Sequence, residues 1–398
     1  MPSMTEHPVI RLQPGHHKRV VAGHPWVFSN EIVMDAAAKA LLPGGLVRLE
    51  AAGGDPIGTA MFNPHPLISA RMLSRDPAAV IDTDFLAARL EASLALRERL
   101  YPDGFYRLIH AEADGLPGTV IDRFGDILVI QANTAGMERL LPALLEAADR
   151  VVRPRAVVLR NDSAARGLEG LDTYVRVVKG EIAEPAELME NGARFFANLE
   201  TGQKTGWFFD QRENRAAVAR LSGGARVLDL YSYAGGFTVA AARAGAREVI
   251  AVDRSEDALA LARRAAEANG VASLCRFVRA ESFAELERLA GEGERFDVVV
   301  ADPPAFVKSR KDLNQGARGY RKLARLSASL IAPGGFLYIA SCSHHMDVPL
   351  FAEQVRRGLV DARRAGRILA TTGAAADHPV HPHLPESAYL KGQIIQLD

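Results

Sequence analysis

Residues 226–253 read RVLDLYSYAGGFTVAAARAGAREVIAVD, and the order of patterns within them decides the fold. A β-rich run ends at Asp229 and enters a loop holding the pair Gly235 and Gly236. The Ala-rich stretch FTVAAARAG then has helical character, and EVIAVD is a second β-rich run closing on Asp253. The same alternation continues through EDALALARRAAEANG, LCRFVRA, AELERLAG, FDVVVAD, YRKLARLSASLI and GGFLYIASC. Strands that alternate with helices at this spacing predict a doubly wound parallel sheet, an α/β domain of Rossmann-like type over residues 189–398.

Upstream the rhythm differs. Residues 1–75 alternate short apolar runs (VIRLQPG, HPWVFSN, LISARML) with Gly and Pro, which predicts a small all-β barrel or sandwich. His16, His17, Lys18 and Arg19 make its start basic, an edge that suits either nucleic acid or plain solvation. Residues 76–188 carry two helical stretches, DTDFLAARLEASLALRERL and GMERLLPALLEAADRVV, around short runs punctuated by D-G and P-G, and predict a small α+β domain. His110, Glu112 and Asp114 within it are read as hairpin and capping groups.

The bulk numbers narrow the class. With 48% hydrophobic and 24% charged residues, this is an ordinary globular composition with enough apolar surface for more than one core. Basic and acidic residues balance at 48 each, so any nucleic-acid footprint has to be local. Two cysteines cannot make a disulfide framework, the N-terminus lacks a secretory signal, and no run approaches a membrane span; the expectation is a cytoplasmic protein without membrane contact.

In open α/β sheets the ligand sits beyond the carboxyl ends of the strands. Those ends carry Asp229 and Tyr231, Asp253, Glu281, Asp302-Pro303-Pro304, and Ser341-Cys342-Ser343. A dinucleotide would want G-x-G-x-x-G, and a triphosphate a G-x-x-x-x-G-K-[ST] loop; neither occurs. An acid 24 residues after Asp229 still suits a ribose diol. The pattern fits a nucleoside without a pyrophosphate, S-adenosylmethionine being the common one. Asp253 would take the ribose hydroxyls, Gly235 and Gly236 would allow close backbone approach, and Glu281 would lie near the adenine amine.

Methyl transfer then asks for an acceptor. Exocyclic-amine methyltransferases commonly follow D-P-P at once with an aromatic residue, whereas here Phe306 comes one position late, after Ala305. Cys342 points instead to a ring carbon. Carbon 5 of a pyrimidine is a poor nucleophile until a thiolate adds at carbon 6. Asp302 could hydrogen-bond N3 of the base during that addition. The rival readings of Cys342 are a buried core thiol, accepted for Cys275, and a zinc site with His344 and His345, which lacks paired ligand spacing. No metal is expected. Residues 306–325 hold seven basic residues against one acid, a net +6, and Lys308, Arg310, Arg318 and Arg321 are read as phosphate contacts.

Several ordered motifs then carry a resemblance. GQKTGWFFDQRENR (202–215), VLDLYSYAGGFTVAA (227–241), ADPPAF (301–306), ARGYRKL (317–323), SCS (341–343) and ADHPV…PESAYLKG (376–392) resemble the RlmI-type large-subunit ribosomal RNA methyltransferases. RVVAGHPWVFSNEI (19–32) is similar to their N-terminal PUA domain, an RNA-binding β-barrel, and HAEADGLPGTVIDRFGD (110–126) to their central domain. The resemblance implies a class I methyltransferase that forms 5-methylcytosine in 23S rRNA from S-adenosylmethionine, with Cys342 as nucleophile and Asp302 as its partner. It implies cofactor positions at Asp229, Gly235, Asp253 and Glu281, with Lys204, Asp210 and Arg212 bordering cofactor or base. It also implies RNA contacts from the PUA domain, where Lys18 and Arg19 lie. Ala305 stands where relatives often carry lysine, which removes one contact to phosphate or base. A uridine-5 methyltransferase, and an RNA-binding protein that has lost activity, are the alternatives; the assembly state is left open, a homodimer included, as is naked rRNA against the large subunit as substrate.

Overall fold

The computed structural model describes residues 7–398, which pack as two compact units. The first unit gathers residues up to Ala183 with Leu199–Gly206 and Asp377–Pro385; the second takes Glu184–Asn198, Trp207–Ala376 and Glu386–Asp398.

The first unit holds two five-stranded sheets. One consists of β1 (Val9–Arg11), β2 (Trp26–Phe28), β3 (Gly45–Glu50), β4 (Pro56–Phe62) and β5 (Ile68–Ser74), in the order β1-β3-β4-β5-β2. The basic start lies on a short helix, His17–Ala22, rather than on a strand edge. Val20 is the buried residue of that helix and packs into the sheet's core with Ile10, Val27 and Leu49. The other sheet runs β10-β9-β8-β7-β6, from β6 (Phe105–His110), β7 (Thr119–Phe124), β8 (Ile127–Ala132), β9 (Ala156–Asn161) and β10 (Tyr174–Lys179).

Buried polar ties join these two sheets, which is why they pack as one unit. Glu112 accepts from the indole of Trp26 at 2.7 Å and from Arg71 at 3.0 Å; Arg71 also reaches Glu169, which accepts from Asn63. Asp114 accepts from Arg97 and from the His110 amide, both at 2.6 Å. Arg97 also donates to the Asp377 carbonyl, and the Asp377 carboxylate accepts from the Arg107 amide and from Nδ1 of His378. An unpaired charge at such depth would cost several kcal/mol, so the acids of HAEADG and ADHPV are needed to hold the fold together.

The second unit opens with a hairpin, β11 (Ala186–Glu190) and β12 (Ala193–Ala197), turned at Asn191-Gly192 with both residues at positive φ. That two-residue turn matches strand twist and favours Asn-Gly. Because the hairpin runs from residue 186 to residue 197, it carries the chain across residue 188 without a break. Seven strands follow: β13 (Arg226–Leu230), β14 (Glu248–Asp253), β15 (Cys275–Arg279), β16 (Phe296–Ala301), β17 (Ile331–Ser341), β18 (Gly366–Thr372) and β19 (Lys391–Leu397). Their order is β15-β14-β13-β16-β17-β19-β18.

All neighbours are parallel except β19, which runs antiparallel to both β17 and β18. Strand order reverses direction between β13 and β16, so a crevice opens there at the carboxyl edge. Two faces of helices bury the sheet, and the central strands are correspondingly apolar throughout, as in VVVA of β16 and LYIA of β17. The antiparallel β19 was not part of the expected parallel sheet. Its register sets Lys391, its first residue, opposite Ser341, the last residue of β17. An antiparallel strand thus brings its beginning to the edge where parallel strands end.

Candidate active site

The crevice is lined from the residues after β13 upward. The loop 231–235 folds back sharply, with positive φ at Tyr231, Tyr233 and Gly235. Tyr233 and Tyr231 are side chains that rarely adopt that region, and such strain clusters at functional loops. The Tyr233 amide donates to Asp253 at 2.9 Å, and Asp253 also accepts from the Ser255 amide at 2.9 Å. Asp253 therefore fixes the first loop to the next helix, Glu256–Ala268. Tyr231 is half-buried, and burial pushes its phenol up to about 12.

The two glycines have internal reasons for being glycine. A Cβ on Gly235 would lie 2.9 Å from that of Ala262, and one on Gly236 would lie 2.4 Å from Nε of Arg215. Helix Gly236–Arg243 is thus packed against its neighbours with no room for a side chain at its start.

Asp229 is buried. Its Oδ2 accepts from the Thr238 hydroxyl at 2.6 Å, while Oδ1 has no hydrogen-bond partner. Burial first, and then the charge of Asp302 across the switch point, push its carboxyl up to about 7, against the pull of Thr238 and Arg215. An orphaned, buried carboxylate oxygen at this edge fits a ligand that carries positive charge and hydrogen-bond donors, which S-adenosylmethionine does. Glu281 is exposed and starts helix Ser282–Gly291.

Asp302 is held by a relay. Gln211 donates its amide to Oδ2 of Asp302 at 2.8 Å, and the Gln211 carbonyl accepts from Tyr338 at 2.9 Å and from Asn214 at 2.7 Å. Tyr338 and Asn214 are buried, so the Gln211 amide has one orientation. The neighbours of Gln211 serve the scaffold. Asp210 is buried and accepts from the Tyr389 hydroxyl. Arg212 is buried 3.9 Å from Glu190, an acid whose two oxygens both accept from Nη1 of Arg215, at 2.7 and 3.0 Å, and which also accepts from the indole of Trp207. Lys204 lies exposed on a turn of the first unit, at φ 51°.

Cys342 follows β17 directly. Successive side chains leave a strand on opposite faces, and the flanking serines point the other way, into the fold. Tyr320, 0% exposed, accepts from Ser341 at 2.8 Å and lies 2.9 Å from Ser343. Ser343 in turn accepts from the Val307 amide at 3.2 Å, which ties this turn to the loop after Pro304. The Cys342 thiol is half-buried and faces the Pro303 carbonyl at 4.0 Å. The serines that looked like loop polarity are therefore buried anchors, and the tyrosine of ARGYRKL is what anchors them.

Phe306 packs between Phe283 and Tyr320, with centroids at 6.0 and 4.8 Å. Cys275, at the start of β15, is half-buried rather than a core thiol, and burial pushes it up to about 11. His344 is exposed beside Tyr389, with ring centroids 5.4 Å apart, and His345 is exposed. Among the described residues no group of three or more His, Cys, Asp or Glu side chains is placed to hold a metal ion.

The basic segment divides in two. Arg321 is paired bidentately with Asp361 at 2.6 and 2.8 Å, and Lys322 with Glu287 at 2.9 Å. Lys308, Arg310, Lys311 and Arg318 are exposed and have no ionic partner among the described residues. In the first unit Lys18 is exposed, whereas Arg19 is turned inward to Glu31 at 2.6 Å and lies 4.8 Å over the Phe28 ring. Sequence reasoning missed Gln211, Asn214, Thr238, Tyr320, Tyr338 and Lys391. Each lies inside or beside a quoted motif, but only its partner in space distinguishes it from a helix or strand filler.

A model of S-adenosylmethionine-dependent methyltransferases matches residues 137–361, and one of PUA-like domains matches residues 10–75. The ribosomal RNA large subunit methyltransferase I of Erwinia tasmaniensis is 39% identical over 390 residues, covering 96% of this chain and 97% of that protein. The protein of the same name from Aeromonas salmonicida is 37% identical over 392 residues, covering 97% and 98%. A Streptococcus mutans structure described as a candidate SAM-dependent methyltransferase superposes with a TM-score of 0.81 at 21% identity, over 98% of this chain and all of that one. A methyltransferase solved in complex with SAH superposes with a TM-score of 0.82, also at 21% identity.

Proposed function

Because the chain belongs to the S-adenosylmethionine-dependent methyltransferase family, we propose that it methylates carbon 5 of a cytosine in large-subunit ribosomal RNA. The observation that carries this reading is Cys342, presented at the carboxyl edge beside the Asp302-Pro303 loop and anchored on both sides through Tyr320. The curated relatives bear the name of large-subunit rRNA methyltransferases over nearly the whole chain, which supports the choice of substrate.

When bound, S-adenosylmethionine supplies an electrophilic methyl for carbon 5. Asp229, Asp253, the 231–236 loop and Glu281 are the residues that would hold it. The chain's own work is on the base. The Cys342 thiolate forms a bond to carbon 6, and the displaced π pair makes carbon 5 the nucleophile. Asp302, oriented by Gln211, has to meet the base in its protonated form: it gives that proton to N3 as charge builds there and takes it back when the ring re-forms. After methylation, loss of the carbon 5 proton restores the double bond and expels the Cys342 thiolate. The target base has to leave its stack to reach a half-buried thiol. Lys308, Arg310 and Arg318, with Lys18 on the PUA-like domain, supply the phosphate contacts.

The test uses Cys342→Ala with rRNA as substrate. Methyl transfer should fall to background while cofactor affinity stays within about twofold of wild type, and RNA bearing 5-fluorocytosine should form a stable adduct with wild type only. Full activity in the variant would sink the covalent route. Trapping by 5-fluorouridine RNA instead of 5-fluorocytosine RNA would transfer the assignment to uridine.

A further inference from the structure

Phe306, the aromatic residue of the ADPPAF loop, is committed to packing between Phe283 and Tyr320. A different aromatic side chain stands beside the thiol. Tyr389, two residues before β19, is half-buried and turns its hydroxyl inward onto Oδ2 of Asp210, itself buried. With the hydroxyl held inward, the side chain presents its ring outward. Lys391, at the start of β19, donates to the carbonyls of Ser343 at 2.7 Å and Met346 at 2.5 Å, which ties the approach to this strand to the turn after Cys342. His344, exposed and two residues after Cys342, sets its ring 5.4 Å from that of Tyr389 at a tilt of 32°.

These contacts close a circuit around Cys342. The sulfur faces the Pro303 carbonyl at 4.0 Å, and Asp302, next to Pro303, accepts from Gln211 at 2.8 Å. Asp210, next to Gln211, holds Tyr389, and Tyr389 leads back to His344. The strand places the same groups on one side. Tyr338 and Cys342 are four residues apart, so they leave the line of β17 on one face, and Tyr338 donates to Gln211 at 2.9 Å. Ser341 and Ser343 leave on the other face, toward Tyr320. The single 3₁₀ turn Phe209–Gln211 thus fixes both Asp302 and the Tyr389 ring through two consecutive residues.

We infer that the Tyr389 ring is the platform on which an unstacked nucleobase of the RNA lies while it meets Cys342. This role rests on the reading of Cys342 as the attacking group, and it supplies the stack that the base has left. A base drawn out of its helix loses contact with its neighbours, and an aromatic face restores that contact whichever base arrives. A ring already held at its hydroxyl end gives up little rotamer freedom on binding. Tyr389 therefore contributes affinity and position, and the choice among bases is left to polar groups such as Asp302.

The experiment compares Tyr389→Phe with Tyr389→Leu in the full chain, because both lose the bond to Asp210 and only the first keeps an aromatic face. In Tyr389→Leu, kcat/KM for rRNA should fall about fivefold or more, and in Tyr389→Phe it should stay within about threefold of wild type. KM for S-adenosylmethionine should be unchanged in both. Equal losses in the two variants would reduce Tyr389 to a partner for Asp210 and overturn the assignment. A second measurement depends on neither variant folding. Cys342→Ala is irradiated with rRNA transcripts carrying 5-iodocytidine or 5-iodouridine, and the crosslinked peptides are identified by mass spectrometry. Tyr389 should be a crosslinked residue with one of the two; its absence from both would also overturn the platform. Because crosslinking needs no bond to sulfur and no methyl transfer, an active Cys342→Ala would refute the covalent route without touching this result.

Discussion

Replacing Asp229 by Asn should stabilise the cofactor-free protein, and by an amount that depends on pH. The carboxyl rises from its ordinary 3.8 to about 7 because it is buried with one oxygen unpaired and faces the charge of Asp302. With the folded value above the unfolded one, the native state keeps a proton that the unfolded chain has released. Stability from this group is fully present below about pH 4 and is lost as pH rises through 7. At about 1.4 kcal/mol per unit, the loss amounts to about 4 kcal/mol at the top of that window. Asn is neutral throughout and can still accept from Thr238, whose hydroxyl donates at 2.6 Å. The two proteins should therefore match to within about 1 kcal/mol near pH 4.5, and the variant should lead by up to about 4 kcal/mol at pH 8. Urea unfolding from pH 4.5 to 8 would read this in a Trp26→Phe background, where Trp207 alone reports on the second unit. Parallel stability curves, separated by a constant offset, would show that Asp229 is ionised in the apo fold and would refute the argument. The proposed cost of the substitution is weaker cofactor binding, since a carboxylate held ready for a cation would be gone.

Tyr320→Phe removes the hydroxyl that Ser341 and Ser343 share, leaving two buried serine hydroxyls without it. A loss of about 1–3 kcal/mol in stability is expected, together with a fall in methyl transfer because the Cys342 turn loses its anchor. Normal turnover in the folded variant would contradict that anchoring role. Arg318→Glu should weaken RNA binding and lower the salt slope by about one or two, measured by filter binding across salt concentrations. Arg321→Glu, whose charge is already committed to Asp361, should leave RNA binding and its salt slope near those of wild type; equal RNA defects in the two variants would refute the division of the basic segment. Gly236→Ala forces a Cβ to within 2.4 Å of Arg215 Nε and should cost about 1–3 kcal/mol through overpacking. An unchanged melting temperature would show that Arg215 moves aside at no cost.

Much of this was legible without coordinates, for definite reasons. The alternation from Arg226 to Ser341 reported the parallel sheet because helical and strand periods are local properties of the chain. The strand-end rule then collected Asp229, Asp253, Asp302 and Cys342 at one edge, since parallel strands deliver their last residues to the same side. Lys18 and Arg19 looked alike in sequence, yet one is exposed and the other is paired to Glu31 from twelve residues away. Arg318 and Arg321 differ in the same way, because Asp361 is forty residues from its partner.

The sequence alone determined the alternation, the acids at strand ends and the cysteine that follows the fifth strand of that sheet, for each is written in neighbours along the chain. Tertiary structure alone decided which polar groups face one another. Gln211 orients Asp302 from 91 residues away, Tyr320 grips both serines beside Cys342 from a helix, and Lys391 reaches the same turn because the last strand runs antiparallel. Hydrogen bonds and buried charges act over a few ångströms with no regard for sequence separation. Periodicity can therefore announce the edge of a sheet, but only folding selects the partners that meet there.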